Sequence, residues 1–259
     1  MRRPLIVPCE GASLVATLDE AAGATGLLIV SGGNEVRAGA HRGMALLAAL
    51  LAADDVPVFR FDRRGVGDSG GANGGYASSA PDIAAAAAAF RREQPQITRL
   101  VGFGNCDAAT ALAMFGRAAG IDALVLGNPW LVERGAGDMP PPAAIRARYA
   151  GRLATPRQWW RLLSGQVDLR KLLKGLRSIA RTSPQPSLAA RFLAGVTGIP
   201  TTIVLATGDS TALAARAALR SLRPVPMMKT VTIPTDSHSF ARTDDAAALE
   251  AAIRAALAG

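Results

Sequence analysis

The chain has 259 residues, 49% of them hydrophobic, which is enough to form the core of one large domain. Its two cysteines are too few for a disulfide framework, and the N-terminal residues lack the apolar run of a signal peptide. No stretch offers the roughly 18 uninterrupted apolar residues of a membrane-spanning helix, so we expect a cytoplasmic protein with reduced thiols.

The excess positive charge is concentrated in one segment. The net charge is +9, and residues 130–195 carry twelve Arg and Lys against three Asp and Glu, while the remaining residues hold seventeen of each sign. Such a basic segment would suit contact with an anionic substrate, a membrane surface or an acyl carrier, and it is equally compatible with a solvated helical face. No basic-aromatic motif of a nucleic-acid-binding fold accompanies it, so we do not expect a nucleic-acid partner.

Strand and helix patterns alternate along most of the chain. From the N-terminus, the predicted order is strand Leu5–Glu10, strand Ser13–Leu18, strand Gly26–Ser31, helix Gly39–Ala53, strand Val56–Phe61, helix Pro81–Arg92, strand Thr98–Phe103, helix Asp107–Ala119 and strand Asp122–Leu126. Residues 130–195 hold no good strand pattern and favour several amphipathic helices separated by prolines. The alternation resumes with strand Thr201–Ala206, helix Thr211–Leu222, strand Met228–Ile233 and helix Asp244–Leu257.

This order predicts an α/β fold with a mostly parallel central sheet flanked by helices, because strand–helix–strand units place successive strands parallel. Residues 1–129 and 196–259 would form that core. Residues 130–195 would form a helical, basic cap inserted over the carboxyl ends of the strands.

Cys106 stands at a predicted strand-to-helix turn. The strand Thr98–Phe103 ends just before it, a helix begins just after it, and small residues lie two positions away on each side, at Gly104 and Ala108. Small residues let the chain turn sharply and hold the side chain between them exposed. The amide groups of the following helix favour the reactive thiolate. Cys106 is therefore the candidate nucleophile, whereas Cys9 lies in the first strand and has the pattern of a small buried hydrophobe.

A nucleophile of this kind needs a base, and the base needs an acid that orients it. His238 follows the last predicted strand and is the candidate base, although a surface loop histidine is the alternative. Asp209 follows the preceding strand and is the candidate acid, with a turn or helix-cap role as the alternative. Asp236 is a rival acid, but it lies only two residues from His238 and is less suited to reach its Nδ1.

The pair Gly32-Gly33 directly follows the third predicted strand. We expect the backbone amides of Gly33 and Asp107 to form an oxyanion hole, which stabilises the negative oxygen produced when a carbonyl is attacked. A plain turn is the alternative for the two glycines.

These motifs resemble the α/β-hydrolase superfamily over nearly the whole chain, and within it the hydrolases associated with the exosortase/PEP-CTERM surface-protein systems of Gram-negative bacteria. The segments that carry the resemblance are Gly32-Gly33 with Arg37, Gly39, His41 and Arg42, the run from Phe61 to Ser69, the run from Cys106 to Ala109, Gly208-Asp209 with Thr211, and His238-Ser239-Phe240. The order nucleophile, acid, histidine is that of the superfamily. The chain departs from the usual Gly-x-Ser-x-Gly turn at Cys106 and Ala108, and Ser31 stands where many relatives have His. These departures point away from ordinary lipase-like activity and toward thioester-type chemistry.

Further residues are candidates for substrate binding. They are Asn34, Arg37, His41, Trp130 and Trp159. Arg37 and His41 lie just past the expected oxyanion loop, where they would bind a polar or anionic substrate group or merely cap a helix. The tryptophans would line an acyl pocket or simply pack the cap onto the core. We expect no cofactor and no metal site.

The leading hypothesis is hydrolysis of a carboxylic ester or thioester through Cys106, His238 and Asp209, with an acyl-enzyme intermediate. Acyl transfer from the same thioester intermediate to a bound alcohol or amine is one alternative. A non-catalytic binding module that retains a hydrolase shell is the other.

Overall fold

A computed structural model describes residues 1–132, 186–220 and 227–259 of the chain. The strands in these residues are β1 (Arg2–Cys9), β2 (Ala12–Asp19), β3 (Thr25–Val30), β4 (Val58–Phe61), β5 (Arg99–Asn105), β6 (Ala123–Gly127), β7 (Thr201–Ala206) and β8 (Met228–Ile233). The α-helices are α1 (Gly43–Ala53), α2 (Ala80–Glu93), α3 (Asp107–Phe115), α4 (Leu188–Val196), α5 (Ser210–Arg220) and α6 (Thr243–Ala258).

The strands form one eight-stranded sheet in the order β1-β2-β4-β3-β5-β6-β7-β8. Strand β2 pairs antiparallel with β1 and β4, and every other neighbouring pair is parallel. The central strands β3, β5 and β6 are almost wholly buried, as expected for apolar runs covered by helices on both faces. The predicted α/β fold with a mostly parallel sheet is confirmed.

Two apolar clusters cover the two faces of the sheet. One contains buried residues of α2, α3, α4 and α5, and Phe59 of β4 stacks on Phe90 of α2 with ring centroids 5.3 Å apart. The other contains buried residues of α1 and α6, among them Leu51 and Ile253. These layers fix the carboxyl ends of β5, β7 and β8, the strands that precede the candidate site residues.

The helix predicted at Gly39–Ala53 begins later than expected, at Gly43. His41 and Arg42 have left-handed backbone angles, with φ of 52° and 60°, and form only a short 3₁₀ turn with Ala40. An α-helix cannot pass through such residues, because each needs negative φ to continue the hydrogen-bond ladder.

The helix predicted at Asp107–Ala119 is shorter than expected and ends at Phe115. The chain continues from there in turns to Gly120, whose φ is +74°. Glycine adopts that angle at little cost, so this turn region leads directly into β6.

Most of the predicted cap, residues 133–185, lies outside the described residues. Its final part is described, because α4 begins at Leu188. Phe192 and Val196 of α4 are buried in the same cluster as α3, and a Cβ on Gly195 would lie only 2.0 Å from the Ala113 carbonyl oxygen. Helix α4 therefore packs as a layer of the core.

In the described parts of the chain, none of the helices combines the length and apolarity needed to cross a bilayer.

Candidate active site

The backbone at Cys106 turns sharply between β5 and α3. Its φ of 59° and ψ of −124° are unusual for a residue with a side chain, and strain of this kind is typical of functional turns. The Cys106 amide donates to the Gly127 carbonyl at 2.9 Å, and the Cys106 carbonyl accepts from the Trp130 amide at 3.1 Å. A Cβ on Gly104 would lie 2.9 Å from the Ala108 carbonyl carbon. The turn expected from the small flanking residues is present, and it requires glycine at position 104.

Asp209 lies just past β7, where it contacts both His238 and the start of α5. Its Oδ2 accepts from His238 Nδ1 at 3.1 Å and from the Ala212 amide at 2.9 Å. Burial opposes the charge of the carboxylate, but the hydrogen bonds from His238 and from backbone amides hold the pKa of Asp209 below its ordinary value. Asp209 therefore stays ionised and fixes the orientation of the imidazole.

His238 links Asp209 to Cys106. The hydrogen bond to Asp209 and a second hydrogen bond to the Cys106 side chain raise the pKa of His238 to about 10, although partial burial works in the opposite direction. The rival acid Asp236 is 70% exposed and instead pairs with Arg242, with Oδ1 and Nη2 2.8 Å apart. The structure thus brings Cys106, His238 and Asp209 together at the carboxyl ends of three strands, where the sequence placed them.

Two asparagines that the sequence reasoning missed hold the His238 loop. The Nδ2 atoms of Asn105 and Asn128 each donate to the His238 carbonyl at 3.0 Å. Asn128 is fully buried, and its Oδ1 accepts from the Ala206 amide at 2.8 Å. The only sequence signal was the position of the two residues, one directly before Cys106 and one directly after β6.

The expected oxyanion residues are adjacent, but the Gly33 amide already has a partner. It donates to Oδ1 of Asp107, in a short hydrogen bond. The same carboxylate receives the Arg63 guanidinium, with Nη2 3.1 Å from Oδ2. The oxyanion loop and the turn at Cys106 are closely packed, since a Cβ on Gly32 would lie 2.5 Å from the Asn105 carbonyl oxygen. The sequence predicted a role for the backbone of Asp107 and not for its side chain.

A small cavity of about 20 Å³ lies beside the turn, large enough for about one water molecule. Its lining includes Ser31, Glu35 and Asn105. The buried Ser31 Oγ and Asn105 Oδ1 have no hydrogen-bond partner within the described residues. Burial raises the pKa of Glu35, and this carboxyl lies near enough to feel the charges of His238 and Asp107. Glu35 is a titratable group of the site that the sequence reasoning did not single out.

Arg37, a predicted substrate-binding residue, is engaged in structural contacts. Its Nη1 pairs with the fully buried carboxylate of Asp62 and, at 2.9 Å, with Asp68. Its Nε donates to Thr17 Oγ1 at 3.1 Å, and its carbonyl accepts from Arg60 at 2.8 Å. These contacts join the oxyanion loop to the loop after β4.

The other predicted substrate-binding residues have different environments. Asn34 is exposed, and its Oδ1 accepts from Asn73 Nδ2 at 2.9 Å. His41 is exposed in the 3₁₀ turn. Trp130 is half-buried, and its backbone amide donates to the Cys106 carbonyl. Trp159 lies outside the described residues.

Cys9 is more deeply buried than Cys106, which is partly exposed. Cys9 is buried in β1, and its Sγ donates to Asp82 Oδ1 at 3.5 Å. Burial and the neighbouring Asp82 carboxylate raise the pKa of the Cys9 thiol to about 11, so it stays protonated. Among the residues that the structure describes, no group of three or more His, Cys, Asp or Glu side chains is arranged to hold a metal ion.

Comparison with known proteins agrees with this architecture. The model of the Alpha/beta hydrolase family matches residues 27–252, and no curated protein sequence matches the chain significantly. An esterase of Pyrococcus furiosus aligns over 99% of this chain and 93% of its own, with 12% identity and a TM-score of 0.64. A lidless α/β serine hydrolase of Xanthomonas campestris aligns over 98% and 94%, with 17% identity and a TM-score of 0.61.

An α/β hydrolase of Sphaerobacter thermophilus is also similar, at 21% identity over 96% of this chain and 99% of its own, with a TM-score of 0.57. Identities this low establish the fold and leave the substrate open. The family match covers most of the chain and includes all three residues gathered at the strand ends. The chain therefore belongs to the Alpha/beta hydrolase family.

Proposed function

We propose that this α/β hydrolase cleaves a carboxylic ester or thioester, with Cys106 as nucleophile, His238 as acid–base and Asp209 as the orienting acid. The observation that carries the proposal is the meeting of three side chains: Asp209 Oδ2 lies 3.1 Å from His238 Nδ1, and the Cys106 side chain lies close enough to His238 to raise its pKa. Each member lies just past the carboxyl end of a strand, and the Cys106 backbone has the strained angles of a nucleophile turn.

The charge state of His238 favours a thiolate mechanism. With a pKa of about 10, the imidazole carries a proton at neutral pH. A cationic imidazole beside a cysteine favours the thiolate, the form that attacks carbonyl carbon. The Asp209 carboxylate lies at the Nδ1 atom of the ring. The imidazolium would then lie between two acceptors, Asp209 and Cys106.

The proposed reaction has two halves. The Cys106 thiolate attacks the carbonyl carbon, forming a C–S bond while the carbonyl π electrons move to oxygen. Collapse of this intermediate breaks the bond to the leaving alkoxide or thiolate, which takes the proton from His238. Water then attacks the thioester, His238 accepts the water proton, and collapse releases the carboxylic acid and restores the Cys106 thiolate.

The test is hydrolysis of a panel of p-nitrophenyl esters and acyl thioesters by the wild type and by Cys106→Ala, His238→Ala and Cys9→Ala. Loss of a nucleophile typically lowers kcat by at least about 10³-fold. We expect losses of this order in the first two variants, whereas Cys9→Ala should keep wild-type activity, since the Cys9 thiol is buried away from the site. Full activity in Cys106→Ala would refute the assignment.

Several finer expectations from the sequence remain part of this proposal. They are the relation to exosortase-associated hydrolases, a cytoplasmic location, and a basic helical cap in residues 130–195 that receives an anionic substrate, a membrane surface or an acyl carrier. Acyl transfer differs from hydrolysis only in the second half-reaction, where an alcohol or amine replaces water. Product analysis with and without added acceptors separates the two.

A further inference from the structure

We infer that Asp107 masks the oxyanion hole with its own carboxylate, so that a substrate carbonyl reaches the Gly33 amide only after this carboxylate is displaced. The inference rests on the proposed function, because only an acyl-transfer site needs an oxyanion hole. It assigns Asp107 a control role that is separate from the role of its backbone amide.

The first step is the occupancy of the Gly33 amide. Its hydrogen points at Asp107 Oδ1 in a short hydrogen bond. One N–H group makes one strong hydrogen bond at a time, so it cannot serve both the carboxylate and a substrate oxygen. A carboxylate at this position also opposes the negative charge that forms on the attacked carbonyl oxygen.

The second step is the group that holds the carboxylate in place. Arg63 is 3% exposed, and its Nη2 donates to the Gly33 carbonyl at 2.9 Å and to Asp107 Oδ2 at 3.1 Å. Its other terminal nitrogen, Nη1, donates to Ser79 Oγ at 3.1 Å, and this second hydrogen bond fixes the orientation of the guanidinium. Arg63 thus ties the oxyanion loop to the nucleophile turn through the Asp107 side chain.

The third step is the charge around the masked amide. Arg63 and the imidazolium of His238 are cations near this amide. Glu35 is a second carboxyl nearby, whose charged form is disfavoured mainly by burial and also by Asp107. The Gly33 amide and Arg63 together therefore form a site for a carboxylate, and Asp107 fills it from within the chain. When a substrate oxygen takes the amide, Arg63 can keep the displaced carboxylate through Oδ2.

Removal of the side chain should open this site to a small carboxylate from solution. We would measure the melting temperature of the wild type and Asp107→Ala in sodium formate and in sodium chloride of equal ionic strength. Formate should raise the melting temperature of Asp107→Ala by about 2–4 °C relative to chloride, and leave the wild type unchanged. Asp54→Ala, which removes a surface carboxylate that pairs with Arg254, is the matched control and should not respond.

The second measurement addresses the oxyanion hole directly. A short aliphatic aldehyde adds to a cysteine as a hemithioacetal, whose oxygen takes the position of the oxyanion. Its affinity should be about 10-fold higher for Asp107→Ala than for the wild type, and formate should compete with it only in the variant. If Asp107→Ala does not fold, Asp107→Asn should still bind the aldehyde a few-fold more tightly, because a neutral amide oxygen is a weaker acceptor than a carboxylate.

The results separate this inference from the proposed function. The masking role would be overturned if formate did not raise the melting temperature of Asp107→Ala, or if this variant bound the aldehyde no more tightly than the wild type does. Either result would leave the proposed triad intact. An aldehyde that binds none of the proteins, with formate still stabilising Asp107→Ala, would instead overturn the hydrolase function.

Discussion

Asp209→Asn is the most informative single change at the proposed triad. Asp209 accepts from both His238 Nδ1 and the Ala212 amide. Asparagine can still cap a helix through its side-chain oxygen, so α5 should keep its N-terminus. The hydrogen bond from His238 to Asp209 is the largest cause of the raised His238 pKa. Asparagine can still accept it, but without the negative charge this hydrogen bond is weaker.

The size of the effect follows from the ionisation of His238. With a pKa of about 10, almost all of the imidazole is protonated at pH 8. Full return to the ordinary value of about 6.5 would leave about 3% protonated at that pH, a loss of about 30-fold. Because Cys106 also raises the pKa, part of the shift should remain, and we expect kcat/KM at pH 8 to fall about 10- to 30-fold.

The assay pairs ester hydrolysis at pH 8 with an NMR titration of the His238 ring. Asp209→Ala is the comparison variant, because it removes both the charge and the helix cap and should also lose about 1 kcal/mol of the free energy of unfolding. Wild-type kcat/KM in Asp209→Asn together with an unshifted His238 pKa would refute the account of how Asp209 acts.

Three further outcomes are expected. Asn128→Leu removes one of the two donors to the His238 carbonyl. It should lower the free energy of unfolding, measured with urea, by about 1–3 kcal/mol and lower kcat for ester hydrolysis. Wild-type values of both would contradict this role. Gly104→Val should cost about 1–3 kcal/mol or more through overlap with the following turn, whereas Gly70→Ala, where the nearest atom would lie 3.8 Å away, should be tolerated; equal melting temperatures would contradict the packing. The pKa of His238 is raised in the folded protein, so its contribution to the free energy of unfolding should be complete below about pH 6.5 and lost as the pH rises through about 10. Urea unfolding at these two pH values should show this difference in the free energy of unfolding for the wild type and not for His238→Gln.

Much of the fold could be predicted because its signals are local. Buried strands such as β3 and β6 are short apolar runs. The candidate nucleophile, acid and histidine each follow a strand, and their order can be read along the sequence. Because parallel strands present their carboxyl ends at one edge, the meeting of Cys106, Asp209 and His238 could be inferred before any coordinates. The late start of α1 could not, since left-handed angles at His41 and Arg42 leave little trace in residue type.

The side-chain partners were beyond the reach of the sequence. Arg63 and Asp107 are 44 residues apart, and nothing local says that the carboxylate turns toward the oxyanion loop. The sequence suggests substrate binding or helix capping for Arg37, but it does not show that the guanidinium pairs with Asp62, 25 residues away. Such pairings depend on how two loops approach in space, which residue types alone do not specify. For the same reason, the role of Asn128 could not be predicted, because its partner, the His238 carbonyl, lies in a loop 110 residues later.

The central claim is that Cys106 forms the acyl-enzyme. The most direct measurement is rapid mixing with p-nitrophenyl acetate, an acid quench during the first turnover, and mass spectrometry of the proteolysed chain. The account predicts an acetyl group on the peptide that contains Cys106, and none in Cys106→Ala. An acetyl group on another residue, with Cys106 unmodified throughout the first turnover, would contradict it.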